Sequence, residues 1–134
     1  FTLEGKNVTL VGRGQTVGLP LFHMLLRENA TVTVCHSRTP DIAFHLKHAE
    51  IVFVAAGHPN LITLEMVHSN VTIIDAGINV IDNGKIVGDA AADLYGYVKA
   101  ISPVPGGVGT LTTAMLYENL LKAIHIQLGE ALHG

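Results

Sequence analysis

The stretch LVGRGQTVGLP, from Leu10 to Pro20, joins two apolar segments through a turn that holds three glycines and one arginine. The glycines stand at 12, 14 and 18, whereas the dinucleotide-binding fingerprint G-x-G-x-x-G would place the third one residue earlier. In such a turn the first glycine allows a tight bend, the second lets a pyrophosphate approach, and the third lets the helix pack closely on the sheet. A late third glycine lengthens the turn but keeps these functions. The stretch therefore predicts a nucleotide-binding turn between a strand and a helix, with an ordinary βα turn as the alternative.

The composition of the chain restricts the classes of protein to consider. Its 134 residues suggest one domain, and 49% of them are hydrophobic while 14% are charged. We expect so apolar a domain to cover part of its surface with a second domain or subunit. A net charge of −3 without a basic run argues against nucleic acid. The longest apolar run, Ile51 to Ala56, is too short to span a membrane.

The cysteine content and the chain ends bear on the cellular setting. The single cysteine, Cys35, excludes an intrachain disulfide framework. Nothing resembles a signal peptide, so we expect a cytoplasmic protein, with the mitochondrion left open. The start at Phe1 rather than at a methionine suggests a piece of a longer chain.

Apolar, β-branched segments alternate with helical patterns along the chain. We predict strands at Asn7–Val11, Thr31–Cys35, Ile51–Ala55, Val71–Asp75 and Ala100–Ser102, and helices at Val17–Asn29, Asp41–His48 and Thr112–Leu128. Thr39 is the expected cap of the second helix, with Pro40 at its first position. One helical turn is expected at Thr63–Val67, and Asn83-Gly84 predicts a hairpin over Val80–Val87.

This order of elements predicts an α/β fold: a Rossmann-like, doubly wound, mostly parallel sheet with helices on both faces. Ligands of such folds bind beyond the carboxyl ends of the strands. The loops that follow four of the predicted strands should therefore lie along one edge of the sheet. These loops are Gly12-Arg13-Gly14, His36-Ser37-Arg38, Ala56-Gly57-His58 and Asp75-Ala76-Gly77.

The loop after the second strand indicates the type of cofactor. An NAD-specific site usually has an acidic residue there, which binds the ribose 2′-hydroxyl. This chain reads CHSRT at Cys35–Thr39, with no acidic residue before Asp41. Ser37 and Arg38, together with Arg13, suit a 2′-phosphate instead, because arginine donates in a fork to phosphate oxygens. The pattern favours NADP over NAD, although Arg38 could equally be a solvated loop charge.

Neither a metal site nor a catalytic group is predicted in this chain. His45 and His48 could share a helix face, but no Cys, Asp or Glu with suitable ligand spacing accompanies them. His36 and His58 fall in the expected ligand loops, where a role as plain loop residues is the simpler interpretation. The segment PVPGGVG, at 103–109, combines fixed prolines with bare glycine backbone. It is either a loop that lets a flat ligand approach closely or a rigid turn.

Taken together, the motifs resemble one family, the NADP-dependent methylenetetrahydrofolate dehydrogenase/methenyltetrahydrofolate cyclohydrolase family, also called FolD. The matching segments are GRGQTVGLP at 12–20, ATVTVCHSRT at 30–39, AAGHP at 55–59, IDAGIN at 74–79, DNGKIVGD at 82–89 and PVPGGVGTLTTAML at 103–116. The resemblance covers essentially the whole chain. It implies that residues 1–134 form the NADP-binding Rossmann-type domain of a longer enzyme, whose folate domain with the catalytic lysine and tyrosine precedes it.

The resemblance also implies which residues bind the ligands. The phosphate and adenosine side of the cofactor would be held by Gly12, Arg13, Gly14 and Thr16, with Ser37 near the 2′-phosphate. The nicotinamide side would be lined by Ala55, Gly57, Ala76 and Ile78. The folate substrate would be bordered by Pro105, Gly106, Gly107 and Val108. The predicted cofactor-binding set is completed by Val17, Arg38, Gly109 and Thr112.

The implied activity of the full enzyme is hydride transfer from 5,10-methylenetetrahydrofolate to NADP⁺, with hydrolysis of the methenyl product to 10-formyltetrahydrofolate. A homodimer is implied for the full-length protein, and this chain alone is expected to bind NADP weakly and to catalyse nothing. Two positions depart from the family pattern and bear on cofactor affinity: Gly14, where serine is common, and Thr110, where proline is common.

Two alternatives to this family stay open. A different Rossmann oxidoreductase, such as a shikimate dehydrogenase-like domain, would leave PVPGGVG without a function. A non-enzymatic dinucleotide-binding module would have no second domain.

Overall fold

The computed structural model describes residues 3–15 and 17–102. Their strands, in chain order, are β1 (Asn7–Val11), β2 (Thr31–Cys35), β3 (Ile51–Val54), β4 (Thr72–Asp75), β5 (Asn79–Val80), β6 (Ile86–Val87) and β7 (Ala100–Ile101). Five of these strands form one sheet in the order β2-β1-β3-β4-β7, and every neighbouring pair in it is parallel. The predicted parallel sheet is confirmed. The strand bounds differ from the prediction by one residue at most.

Helices cover both faces of this sheet. On one face, α1 (Gly18–Arg27) contributes Leu21 and Leu25 to an apolar cluster that includes Leu10 and Phe53. On the other face, α2 (Ile42–Leu46) contributes Leu46 to a second cluster with Val52, Val54 and Ile73. All four residues of β3 are buried. Since successive residues of a strand point to opposite faces, β3 is covered on both sides, as its continuous apolar sequence predicts. The doubly wound arrangement is therefore confirmed.

The first helix is shorter than the predicted 17–29 at both ends. Val17 is its N-cap residue and Glu28 its C-cap residue. Asn29 adopts a φ of +63°, and its N–H donates to the carbonyl of Leu26 at 3.0 Å. A left-handed asparagine directly after a helix is a common way of ending it. The stop at Arg27 thus has a local cause in the sequence.

The predicted cap of the second helix is wrong. The N-cap residue of α2 is Asp41, whose carboxylate accepts a hydrogen bond from the N–H of Phe44 at 3.2 Å. The hydroxyl of Thr39 instead accepts from the N–H of His36 at 2.9 Å and closes the turn after β2. Aspartate is a good cap, and Thr39 is already engaged, so the helix begins after Asp41 rather than at Pro40.

The remaining short elements agree with the sequence. A 3₁₀ turn spans Leu64–Met66, and β5 pairs antiparallel with β6 as the predicted hairpin. Asn83 and Gly84 at its tip have φ values of 69° and 75°, the left-handed conformation expected for this dipeptide. In the described ranges no helix is long and apolar enough to cross a membrane. The predicted final helix and the loop at 103–109 lie outside the described residues.

Candidate functional site

A cleft of about 460 Å³ opens at the carboxyl ends of β1, β2 and β3. After β1 the chain moves to β2 on one side, and after β2 it returns to β3 on the other side of β1. This reversal of strand order is where open α/β sheets bind their ligands. Three of the predicted loops meet here, and they contribute residues 12–14, 36–37 and 55, 56 and 58 to the lining of the cleft.

Gly12 begins the turn after β1 and has no room for a side chain. Its φ is +123°, and a Cβ atom on it would lie 2.5 Å from the carbonyl oxygen of Ala55. Its N–H donates to the carbonyl of Cys35 at 2.8 Å, so the turn is bonded to the end of β2 as well. The tight-turn function predicted for the first glycine is confirmed.

Gly18, the late third glycine, lies at the first position of α1. A Cβ atom on it would stand 2.8 Å from the carbonyl carbon and oxygen of Gly12. The helix therefore approaches the turn as closely as backbone atoms allow, which is the function expected of the third glycine. Although the third glycine comes one residue later than in G-x-G-x-x-G, the helix packs against the turn as closely as that fingerprint predicts.

Gly14 differs from the other two glycines. A Cβ atom on it would meet no atom within 4 Å, and its φ is not positive. Gly14 and the exposed Arg13 both line the cleft. The backbone at 14 therefore does not require glycine, and a side chain there would find open space beside the cleft.

The loop after β2 brings His36 and Ser37 to the cleft. The Nδ1 atom of His36 accepts a hydrogen bond from the N–H of Arg38 at 3.2 Å, which folds the loop back on itself. Among the described residues that line the cleft there is no aspartate or glutamate. A site with an arginine and no carboxylate suits an anionic ligand.

The structure brings together part of the predicted cofactor set. Gly12, Arg13, Gly14, Ser37 and Ala55 line the cleft. The other described members of the set are not among its lining residues, and their assignment stays a prediction: Val17, Arg38, Gly57, Ala76 and Ile78. Val17 and Ala76 pack against the apolar cluster under α1, while Ile78 is 47% exposed. The predicted residues Thr16, Gly109, Thr112 and 105–108 lie outside the described residues.

The sequence did not predict the function of two carboxylates that are buried in the structure. Asp75 ends β4 and Asp89 follows β6, and each accepts several hydrogen bonds from backbone N–H groups. Burial raises the pKa of the Asp75 carboxyl, the N–H donors of Ala90, Asp89 and Gly77 oppose that rise, and the nearby Asp89 charge adds to it. The available signal was an aspartate at the end of an apolar strand, which needs partners once it is buried.

The cleft fits a dinucleotide in its construction. The backbone at Gly12 is left bare, the helix behind it begins directly at the turn, and an arginine lines the opening. These are the elements that receive a pyrophosphate at the start of a helix. No group of three or more His, Cys, Asp or Glu side chains that could hold a metal ion occurs in the part of the chain that the structure describes.

A parallel sheet with a glycine turn and a cleft at its switch point defines a dinucleotide-binding α/β domain. The chain belongs to the family of tetrahydrofolate dehydrogenase/cyclohydrolase NAD(P)-binding domains, whose family model matches residues 1–128. The predicted family and the nicotinamide dinucleotide class of cofactor are thereby confirmed.

Known relatives agree with this assignment. The bifunctional protein FolD of Heliobacterium modesticaldum is 53% identical over 130 residues, which cover 96% of this chain and 45% of that protein. The solved bifunctional 5,10-methylenetetrahydrofolate dehydrogenase/cyclohydrolase of Thermoplasma acidophilum is 46% identical, with a TM-score of 0.77 over 94% of this chain and 46% of that one. The methylenetetrahydrofolate dehydrogenase-cyclohydrolase of Trypanosoma brucei, solved with NADP and an inhibitor, is 38% identical, with a TM-score of 0.75 over 96% of this chain and 46% of that one. The chain thus spans about half the length of these relatives.

Proposed function

We propose that this chain is the NADP-binding part of an enzyme that oxidises 5,10-methylenetetrahydrofolate and hydrolyses the methenyl product to 10-formyltetrahydrofolate. The observation that carries the proposal is the cleft at the β1/β3 switch point, lined by Gly12, Arg13 and Ser37 without a carboxylate. The solved relatives that bear the activity in their names match this chain over 46% of their own length. The cofactor supplies a hydride acceptor when it is bound.

The residues of the chain bind and orient that acceptor. The turn at 12–14 receives the pyrophosphate beside the start of α1, where N–H groups and the helix dipole favour negative charge. Arg13 and Ser37 receive the 2′-phosphate that distinguishes NADP from NAD. Oxidation of the methylene bridge needs close positioning of the two reactants rather than a base, because the hydride leaves a stabilised cation.

The substrate and the surroundings of the enzyme are part of the same proposal. Pro105, Gly106, Gly107 and Val108 are the residues of this chain that we assign to the folate side, with the rest of the folate site in a second domain. We propose a homodimer of the full-length protein in the cytoplasm.

Calorimetric titration of the protein with NADP⁺ and with NAD⁺ tests the cofactor assignment. We expect NADP⁺ to bind more tightly, and Arg13→Ala to weaken NADP⁺ by about tenfold or more while NAD⁺ changes less, since a charged hydrogen bond contributes about 1.5–3 kcal/mol. Arg27→Ala is the matched control, because Arg27 lies in the last turn of α1, at the end away from the cleft. Equal affinities for the two cofactors, or equal effects of the two arginine variants, would contradict the assignment.

A further inference from the structure

Two buried carboxylates stand behind the cleft, and the proposed function assigns nothing to them. Asp89 is 0% exposed and Asp75 is 1% exposed. Neither is among the residues that line the cleft. A buried carboxylate is costly unless hydrogen bonds satisfy it, so the partners of these two groups show what they hold in place.

Asp89 binds three consecutive N–H groups of the loop that follows β3. Its Oδ2 accepts from Ala56 at 2.8 Å and from Gly57 at 3.1 Å, and its Oδ1 accepts from His58 at 2.9 Å. Successive N–H groups that converge in this way form a concavity that binds anions. Here the anion is a side chain of the same protein. The conformation of residues 56–58 is therefore fixed by Asp89 before any ligand arrives.

Asp89 is itself held from two further directions. The side-chain amide of Asn79 donates to its Oδ1 at 2.8 Å. The carboxylate of Asp75 accepts from the N–H of Asp89 at 3.1 Å and from the N–H of Ala90 at 2.9 Å. A Cβ atom on Gly77 would overlap the Asp89 carboxylate, so the chain after β4 closes over it without a side chain.

The loop that Asp89 holds forms one wall of the cleft. Ala56 and His58 line the cleft next to Ala55, whose carbonyl oxygen packs against Gly12. Resting on the proposed function, we propose that Asp89 is a positioning residue for the dinucleotide: its carboxylate preforms the 56–58 wall against which the cofactor binds. Preformed walls strengthen binding because no ordering of the loop is required on association.

The test uses Asp89→Asn in the full-length enzyme. Asparagine has nearly the same shape as aspartate but no charge. Its NH₂ group would replace one of the two accepting oxygens and would face backbone N–H donors. We expect the KM for NADP⁺ to rise on the order of tenfold while the KM for the folate substrate changes by less than about twofold. The amides of residues 56–58 should exchange their hydrogens faster. Asp82→Asn, which removes the same charge from the exposed hairpin loop, should alter neither readout.

The outcomes separate a positioning role from a structural one. An unchanged KM for NADP⁺ would overturn the proposal, and so would a parallel loss of dehydrogenase, cyclohydrolase and folate binding. If Asp89→Asn does not fold, Asn79→Ala replaces it, because it removes one donor to the same carboxylate and keeps the charge; a rise in the NADP⁺ KM supports the proposal and no rise overturns it. A wild-type enzyme without NADP⁺-dependent activity would instead refute the proposed function. Amide exchange needs no cofactor and still reports on the loop.

Discussion

Gly12 and Gly14 stand two residues apart in one turn, yet the structure makes opposite demands on them. Gly12 has a positive φ, and a Cβ atom on it would lie 2.5 Å from the carbonyl oxygen of Ala55. A Cβ atom on Gly14 would meet no atom within 4 Å. We expect Gly12→Ala to lower the free energy of unfolding by about 2–5 kcal/mol, and Gly14→Ser to change it by less than about 0.5 kcal/mol. Urea unfolding of both variants measures this difference. Equal losses would show that the turn is not held as tightly as the contacts at Gly12 indicate.

Serine at 14 should also help the cofactor rather than hinder it. Gly14 lines the cleft, so a hydroxyl there would face the ligand and could donate to a phosphate oxygen. Serine is also the residue that the sequence resemblance leads us to expect at this position. The same Gly14→Ser protein, titrated with NADP⁺, should bind at least as tightly as the wild type.

Asp75 gives the stability of the domain a pH dependence of definite sign. Its folded-state pKa is raised above the ordinary 3.8, chiefly by burial, so the fold favours the protonated form. Its contribution to stability is complete below the ordinary value and is lost as the pH rises through the folded-state value. Asp75→Asn cannot ionise. The stability of the wild type relative to this variant should therefore fall as the pH rises from about 4 towards neutral.

Urea unfolding of the wild type and of Asp75→Asn over this pH range measures that difference. Asp82→Asn, on the exposed hairpin loop, provides the baseline for removing an aspartate. A relative stability that increases with pH would mean that the three N–H donors to Asp75 outweigh its burial.

At the level of residues, the site divides into parts that a sequence can and cannot reveal. The functions of Gly12 and Gly18 follow from spacing within one strand–turn–helix unit, and both were predicted. Asp89 was not predicted, because its N–H donors in the 56–58 loop lie 31 to 33 residues away in the chain. A single sequence indicates that a buried aspartate needs partners but not which ones.

Among the elements, α2 offers a direct test of how its start is chosen. The helix is five residues long, and its cap is the Asp41 carboxylate on the N–H of Phe44. Asp41→Ala should lower the free energy of unfolding by about 1 kcal/mol and increase amide exchange at Phe44. Thr39→Ala removes a hydroxyl that bonds to His36 instead, so the exchange at Phe44 should stay unchanged. A larger effect of Thr39→Ala on Phe44 would restore the cap predicted from the sequence.

The elements themselves and the ends of the strands were largely predictable, whereas the ends of the helices were less so. β-branched runs between turn residues identified the strands of the parallel sheet, and β3, which is buried on both faces, is apolar throughout. Helix ends depend on competing hydrogen bonds, as at Thr39 and Asp41, where two oxygen-bearing side chains on either side of Pro40 could each cap the helix.

At the scale of the whole molecule, few ionisable side chains that could act in catalysis line the cleft. In the described part of the chain its ionisable lining residues are Arg13, His36 and His58. Hydride transfer depends on holding two reactants together. The chain spans about half the length of the solved relatives that are named for both activities. We therefore expect this chain to provide the cofactor-binding part of the reaction.

We accordingly expect residues 1–134, produced alone, to bind NADP⁺ weakly and to form no NADPH from 5,10-methylenetetrahydrofolate. On the resemblance, a separate folate domain would supply the lysine, the tyrosine and most of the substrate contacts, so we expect the isolated chain to hold the hydride acceptor without the donor. Calorimetry measures the first property and NADPH absorbance the second, with the full-length enzyme as the positive control. NADPH formation by the isolated chain would place catalytic groups within these 134 residues. Tight binding without turnover would show that the cleft is complete for the cofactor and that only the reaction needs the second domain.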